Sequence, residues 1–328
     1  MSGQQPPSRH RTQQGVALIT VLLVVALATV AAVQMATSDR LDQSRTGNRL
    51  ALAQAHQIAL GGEDWAVAVL ARDLRDADDE ARRDSRDQAW AQVLPPMPVE
   101  GGQVAGRIHD AQGRFNVNTL VEGGQVNPIA LERFERLLMV RELDPQLAQA
   151  VVDWLGGGGD AAGTAAGAGD DYYRAREQPH LAALRPVATA SELRLVRGFE
   201  AEVWHRLRPH ITALPTPGTP FNVNTATPAV LQAIVPGLGD DAAESLYEAA
   251  AEEPFDSVEA FLEHPLVAGA SDADEIGELR TDQLSIASGH FRVRVDVELG
   301  PVEHTLYSWL QRDDNGASRV LRRTRTAN

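Results

Sequence analysis

Apolar and polar positions divide this chain into stretches of different period. From Val16 to Val33 there are eighteen residues without a charge, which as a helix is about 27 Å, close to the hydrocarbon thickness of a bilayer. Beyond it the pattern becomes amphipathic: Ala51, Ala55, Ile58, Gly62, Trp65 and Val69 recur at alternating spacings of four and three, placing small and apolar residues on one stripe able to lie against a sheet. Gly47, Gly61 and Gly62 each lower helix propensity by about 1 kcal/mol relative to Ala, which predicts a kink near 61 or a close packing contact. The charged run RDADDEARRDSRD and then LPPMPVEGG end the helix in a turn-rich connector.

Period-two alternation is confined to the two ends of the region after this helix. QVAGRIHD at 103–110 is a candidate strand. HFRVRVDVELG is clearer: Phe291, Val293, Val295, Val297 and Leu299 share one face, and Arg292, Arg294, Asp296 and Glu298 the other. Gly300-Pro301 turns the chain into VEHTLYSWLQR, and ASRVLRRT adds a short last strand. A long helix on a small antiparallel sheet is the predicted α+β frame, interrupted by about 170 residues without a convincing strand. That interruption contains an echo: RFNVNTL at 114–120 and PFNVNTATP at 220–228 share Phe-Asn-Val-Asn-Thr, each followed by helical runs. In the second copy Asn224 and Thr225 are placed to cap the helix that Pro228 starts.

Composition narrows the chemistry. The formal charge of −15 and pI near 5 disfavour nucleic acid and anionic membrane surfaces as partners. There is no lysine, so arginine carries every positive side-chain charge, and zero cysteines exclude disulfides and thiolate chemistry. VPGLGDDAAESLYEAAAEEPFDSVEAFL resembles a DNA-binding helix-hairpin-helix, with Gly237 and Gly239 in its turn, but Asp240 and Asp241 follow directly. From Phe221 to Glu275 there are twelve Asp or Glu and no Lys or Arg. A phosphate backbone would be repelled, so no nucleic-acid partner is expected. Gly237-x-Gly239-x-x-Ala242 matches the dinucleotide fingerprint, but Pro236 precedes it where a strand belongs. No catalytic constellation emerges: Pro209 separates His205 from His210, and Glu202-x-x-His205 is half of a di-iron pattern. No enzyme activity is expected.

Two segments carry candidate sites. In VVDWLGGGGDAAGTAAGAGDDYYRAR, residues 151–176, Asp153, Asp160, Asp170 and Asp171 flank a glycine-rich loop, offering the hard oxygen ligands that Ca²⁺ takes. The alternative is a solvated acidic loop. At the front, Arg9 and Arg11 precede the apolar run and hold the N-terminus in the cytoplasm, with the bulk of the chain outside. Ala26-Leu27-Ala28 has the small-x-small form of a signal-peptidase site, but cleavage there leaves only about ten apolar residues.

Gly15, at the boundary between the polar, basic leader and the apolar run, resembles the prepilin leader of type IV pilins and type II secretion pseudopilins. With the repeat, the flanking strands and the acidic loop, the chain resembles over nearly its whole length the minor pseudopilin family called general secretion pathway protein K. The resemblance implies cleavage between Gly15 and Val16 by the prepilin peptidase, N-methylation of Val16, and assembly with I-type and J-type minor pseudopilins and with secreted exoproteins. Pilin-like subunits carry Glu as the fifth mature residue; here it is Thr20, as implied for a subunit at the filament tip. The family's calcium-binding outline is matched by Asp153-Trp154 and by Gly167-Ala168 through Tyr172-Tyr173, and departs at Gly156, Gly158 and Gly169.

The implied fold is a pilin-like helix on an antiparallel sheet with a large all-α insertion of two SAM-like, helix-hairpin-helix-like subdomains. The implied division is a leader (1–15), the transmembrane part of the helix (16–38), the remaining helix and first strands (39–113), a first helical inserted domain with the acidic loop (114–219), a second (220–280) and the C-terminal strands (281–328). The implied localisation is the inner membrane, single pass, with a periplasmic C-terminal region. The alternatives are a membrane-anchored DNA-uptake protein and a type IV pilus tip adhesin.

Overall fold

The computed structural model describes residues 13–76, 82–157, 170–270 and 281–326. It begins with α1 (Gln13–Asp76), 64 residues of uninterrupted helix. The strands β1 (Leu94–Val99) and β2 (Gly102–Asp110) follow. Next come β3 (Phe115–Asn116), β4 (Val121–Glu122), β5 (Gln125–Val126), α2 (Pro128–Val140), α3 (Leu147–Leu155), α4 (Asp170–Arg174), α5 (Ala201–Leu207) and β6 (Ile211–Thr212). A second group holds β7 (Phe221–Asn222), α6 (Pro228–Ile234), α7 (Asp240–Glu252), α8 (Val258–Glu263), α9 (Pro265–Ala268) and β8 (Leu284–Ser285). The chain closes with β9 (His290–Leu299), β10 (Val302–Arg312) and β11 (Ser318–Thr324).

The expected frame is present. One five-stranded antiparallel sheet runs in the order β1-β2-β9-β10-β11, and the C-terminal half of α1 packs on it. The alternation read in β9 holds: Phe291, Val293, Val295 and Val297 are buried beneath α1 with Val104, Ile108, Leu306 and Leu310. The helix stripe is centred about one residue away from the expected one, on Ala55, Ala59, Glu63, Ala66 and Leu70. Glu63 explains the offset, because an apolar search skips a carboxylate. Here Glu63 is buried, accepts from Ser308 and pairs with Arg323 of β11, whose Nη2 lies 2.7 Å away. Trp65, at 37% exposure, sits on the flank.

β1 was not visible in the sequence, because LPPMPV reads as connector. Three prolines are tolerated on this edge strand, where missing N–H groups need not serve a second neighbour.

The insertion is not purely helical. Phe115-Asn116 pairs in parallel with Ile211-Thr212, and Phe221-Asn222 in parallel with Leu284-Ser285, so each copy of the repeat closes its own loop of chain. A small hairpin of β4 and β5 adds a third bridge. One continuous apolar core nonetheless spans both groups of helices, with Phe115 stacked on Phe134 at 5.0 Å and tilted against Phe221 at 5.9 Å.

The repeat does not cap the α-helices that follow it. In each copy the first Asn side chain accepts the N–H two residues on: Asn116 from Asn118 at 3.2 Å and Asn222 from Asn224 at 3.0 Å. The second Asn clamps a distant residue through both its backbone groups. Asn118 holds Val187 (2.9 and 3.0 Å), and Asn224 holds Phe255 (2.8 and 3.0 Å). Asn224 and Thr225 therefore do not cap α6, whose N-cap is Thr227. Side-chain capping by asparagine occurs instead at α2, where Asn127 accepts from Ala130 at 3.1 Å ahead of Pro128.

The helix passes through Gly61 and Gly62 without a break. A Cβ at Gly62 would lie 2.7 Å from Val295 Cγ1, whereas one at Gly61 would meet nothing within 4 Å. Gly62 therefore permits the close approach of α1 to a stiff β-branched neighbour, and Gly61 does not. Gly61→Ala is expected to stabilise the protein by about 0.5–1 kcal/mol. Gly62→Ala is expected to destabilise it by about 1–3 kcal/mol in spite of the better helix former. Urea unfolding of the detergent-solubilised chain distinguishes the two.

Candidate assembly surfaces

The N-terminal half of α1 leaves the body of the protein. Its apolar side chains from Val16 to Val33 are exposed, as a lipid-facing or partner-facing helix requires. The hydroxyls within it are turned inward onto the backbone: Thr20 donates to Val16 O at 3.1 Å and Ala17 O at 2.9 Å, Thr29 to Val25 O at 2.8 Å, and Thr37 to Val33 O at 2.8 Å. Each of these three hydroxyls is thereby satisfied without water, which suits hydrocarbon surroundings. Gly15 and Val16 lie within α1; residues 1–12 of the expected leader lie outside the described residues.

The four candidate calcium ligands are not all on display. Asp153, on α3, is 6% exposed; its Oδ1 accepts from Gln149 at 2.9 Å, while Oδ2 is buried with no donor among the described residues. Asp171 of α4 is exposed and lies 3.6 Å from Arg174. Asp160 and the side chain of Asp170 lie outside the described residues, as do Gly158, Gly167, Ala168 and Gly169. Among the described residues no group of three or more His, Asp or Glu side chains is arranged to hold a metal. Trp154, Tyr173 and His180 pack as a cluster beside Asp153, with Trp154 edge-on to Tyr173 at 5.1 Å. Burial raises the Tyr173 pKa. Gly156, at φ +87°, ends α3 in the left-handed conformation that leads the chain into the loop.

At the acidic hairpin, Gly237 turns at φ +73° with Ala270 O directly against it, and Gly239 is the N-cap of α7. Asp240 and Asp241 occupy the first turn, where negative charge complements the helix dipole. Asp240 also accepts from Gln232 at 2.8 Å.

A buried polar junction lies where the sheet meets the insertion, at residues whose sequence context reads as a solvated connector. Asp84 and Arg312, each 1% exposed, pair at 2.6 Å. Arg312 also donates to Ser288 O at 2.9 Å, and Asp84 accepts the Ser288 N–H at 2.7 Å. Beside them Asp110 accepts from Gln112 N (2.7 Å), Thr225 (2.5 Å), Ser288 Oγ (2.6 Å) and Asn222 Nδ2 (2.9 Å). The one available signal was the Asn of the second repeat, which donates to Asp84 O and Asp110 together. His205 and His210 do not form a site; His210 meets Thr227 at 2.9 Å.

One apolar helix of membrane length, continued as the helix that packs on an antiparallel sheet carrying a helical insertion, fits an α+β subunit with a single-pass anchor. Comparison with known proteins gives that class a family. The family described as type II secretion system (T2SS), protein K matches residues 113–216 and again 221–281. The chain is 37% identical over 323 residues to the type II secretion system protein K of Pseudomonas aeruginosa, covering 96% of this chain and 93% of that one. It is 32% identical over 326 residues to that of Klebsiella pneumoniae, covering 96% and 97%. Its fold is similar to a chain in the crystal structure of the GspK-GspI-GspJ complex from the enterotoxigenic Escherichia coli type 2 secretion system, with TM-score 0.75, 26% identity, and 87% of this chain and 100% of that one covered. The chain belongs to the type II secretion system protein K family.

Burial outweighs the four donors around Asp110 and raises its pKa from 3.8 to about 6. The folded state then holds a proton that the unfolded state has lost between pH 4 and 6, so this group's contribution to stability falls as pH rises through that window and is level above it. Comparing thermal unfolding of the wild type and Asp110→Asn from pH 4 to 8, the wild-type advantage is expected to shrink by up to about 3 kcal/mol across pH 4–6. A difference flat in pH would show that the native carboxylate titrates normally.

Proposed function

We propose that this chain is a minor pseudopilin that occupies the tip of a type II secretion pseudopilus together with I-type and J-type minor pseudopilins, and supports export of exoproteins across the outer membrane. The observation that carries the reading is α1 itself: one continuous helix whose exposed apolar half joins directly to a half bonded to the sheet. In this reading Arg9 and Arg11 keep the N-terminus cytoplasmic, the sheet and insertion lie in the periplasm, and the prepilin peptidase cleaves after Gly15 to free a methylated Val16. The relative solved as a GspK-GspI-GspJ complex supports the choice of partners.

Thr20 supports the tip position. Its hydroxyl is engaged with its own helix at 2.9 and 3.1 Å, and it carries no charge to neutralise the N-terminal amine of a neighbour in apolar surroundings, where an unpaired charge is costly. The insertion, read as two helix-hairpin-helix-like units, adds bulk above the sheet and further disfavours stacking of another subunit.

Two experiments test the assembly reading. Mass spectrometry of the membrane-extracted protein is expected to find a peptide beginning at methylated Val16 only in cells that contain the prepilin peptidase. An uncut leader, or a start at Thr29, in both strains refutes the pseudopilin pathway. Thr20→Glu is expected to spread the subunit from the filament end into the shaft, scored by labelling isolated filaments; continued tip restriction would assign that control to the insertion.

Calcium belongs to the same reading. Asp153 Oδ2, buried without a donor among the described residues, is a carboxylate oxygen that a cation would satisfy, with Asp160, Asp170 and Asp171 as the other candidates. Calcium is expected to raise the unfolding midpoint of the solubilised protein saturably, and Asp153→Asn to abolish the rise. Equal midpoints in calcium and in chelator would remove the ion from this account.

A further inference from the structure

The sheet face turned away from α1 carries an unusual row. In register across β2, β9, β10 and β11 stand His109, Arg292, Trp309 and Arg322, each directly opposite the next. Arg114, from the segment joining β2 to β3, converges on the same place. Together with Thr212 of the insertion these residues line a cavity of about 20 Å³ between the sheet and the insertion.

Among the described residues none of the three guanidinium groups is in an ion pair. Arg292 Nε is buried without an acceptor among them. Arg322 stacks on Trp309 at 4.0 Å and donates once, to Ala188 O at 3.1 Å. The one carboxylate on the wall, Asp110, is already engaged by Gln112, Thr225, Ser288 and Asn222. Like charges brought close together are unfavourable unless something offsets them, and Arg114 and His109 register that cost. Burial and then Arg292 push the Arg114 pKa down to about 10. Burial, followed by Arg292, Arg114, Arg107 and Arg294, pushes His109 down to about 3, so its imidazole is neutral at pH 7.

We propose that this cavity binds a small inorganic oxyanion of the sulfate or phosphate type, held by Arg114, Arg292 and Arg322 with His109 as a neutral donor. Guanidinium forks match oxyanion geometry. The enclosed volume exceeds the roughly 10–15 Å³ needed for one water-sized centre, so one oxygen enters while the rest of the ion stays in the mouth. The bound ion links β9, β11 and the β2–β3 segment to the insertion.

The test uses the full chain in detergent, titrated with sodium sulfate at constant ionic strength and followed by thermal unfolding. The expected result is a saturable rise of about 3 °C at ten times the dissociation constant, lost in Arg114→Gln and kept in Arg294→Gln, whose arginine pairs instead with Asp296. Arg322→Gln, at a strand near the C-terminus, gives the same readout if Arg114→Gln fails to fold. Sulfate should also raise the His109 pKa, followed by NMR. A rise linear in sulfate and equal in all variants is general salt exclusion and overturns the proposal, as does a His109 pKa unmoved by sulfate.

Discussion

The buried pair of Asp84 and Arg312 is the constraint on which the architecture depends. Asp84 belongs to the connector that follows α1, Arg312 to the end of β10, and both hold Ser288 at the entry to β9. Arg312 reaches back to Leu70 O of α1 at 3.3 Å and stacks over Phe291 at 4.8 Å. Asn222 then ties Asp84 O to Asp110 at the end of β2. Four segments far apart in sequence therefore meet through groups with few alternative partners. Removing one member of such a pair costs about 3–5 kcal/mol, because the survivor is a buried charge. The apolar contacts beneath α1 supply area without direction; the junction selects which ends of the chain meet.

This explains how a five-stranded sheet survives an interruption between β2 and β9. The two strands are sequence-distant but adjacent, and the insertion must leave and return at one corner. Gln112 does the local work there: its Oε1 accepts from Gly289 N at 2.6 Å and His290 N at 3.1 Å, and its Nε2 donates to Pro220 O at 3.0 Å. The two copies of Phe-Asn-Val-Asn-Thr close the insertion from within. Each pairs its Phe-Asn with the returning chain and uses its second Asn to pin a loop.

What the sequence revealed follows from which signals are periodic. β9 and β10 were legible because alternation over ten residues leaves few other readings, and the membrane-length helix because its apolar run is unbroken. β1 was hidden by prolines, whose edge position is a tertiary fact. Glu63 shifted the helix stripe because a buried carboxylate is indistinguishable in sequence from a solvated one. Asp84 sits in a run of Arg and Asp that reads as solvent-exposed, and only the fold shows that it faces Arg312. The repeat is visible as identity, but Asn224 and Thr225 of the second copy read as caps because local capping is the commonest use of such residues before a helix. Of the candidate calcium ligands, Asp153 alone among the described side chains combines burial with an oxygen that lacks a donor.

The same physics separates the roles of the two ends of α1. Its run from Val16 to Val33 satisfies its two threonine hydroxyls internally and presents no charge, so its placement is decided by the medium or by neighbouring helices. Its C-terminal half is fixed by specific contacts: Gly62 against Val295, Glu63 to Ser308 and Arg323, and Leu70 O to Arg312. Because one unbroken helix carries both halves, a displacement of the anchor along its axis is transmitted to the sheet without a hinge at Gly61-Gly62. In the proposed tip arrangement this is what a terminal subunit needs: a stiff connection from membrane to sheet, and an insertion bonded to the frame at the Asp84–Arg312–Asp110 junction, through Arg86 to Asn224 O and Tyr247 O, and through Arg322 to Ala188 O, so that force on the helix moves it as one piece with the sheet.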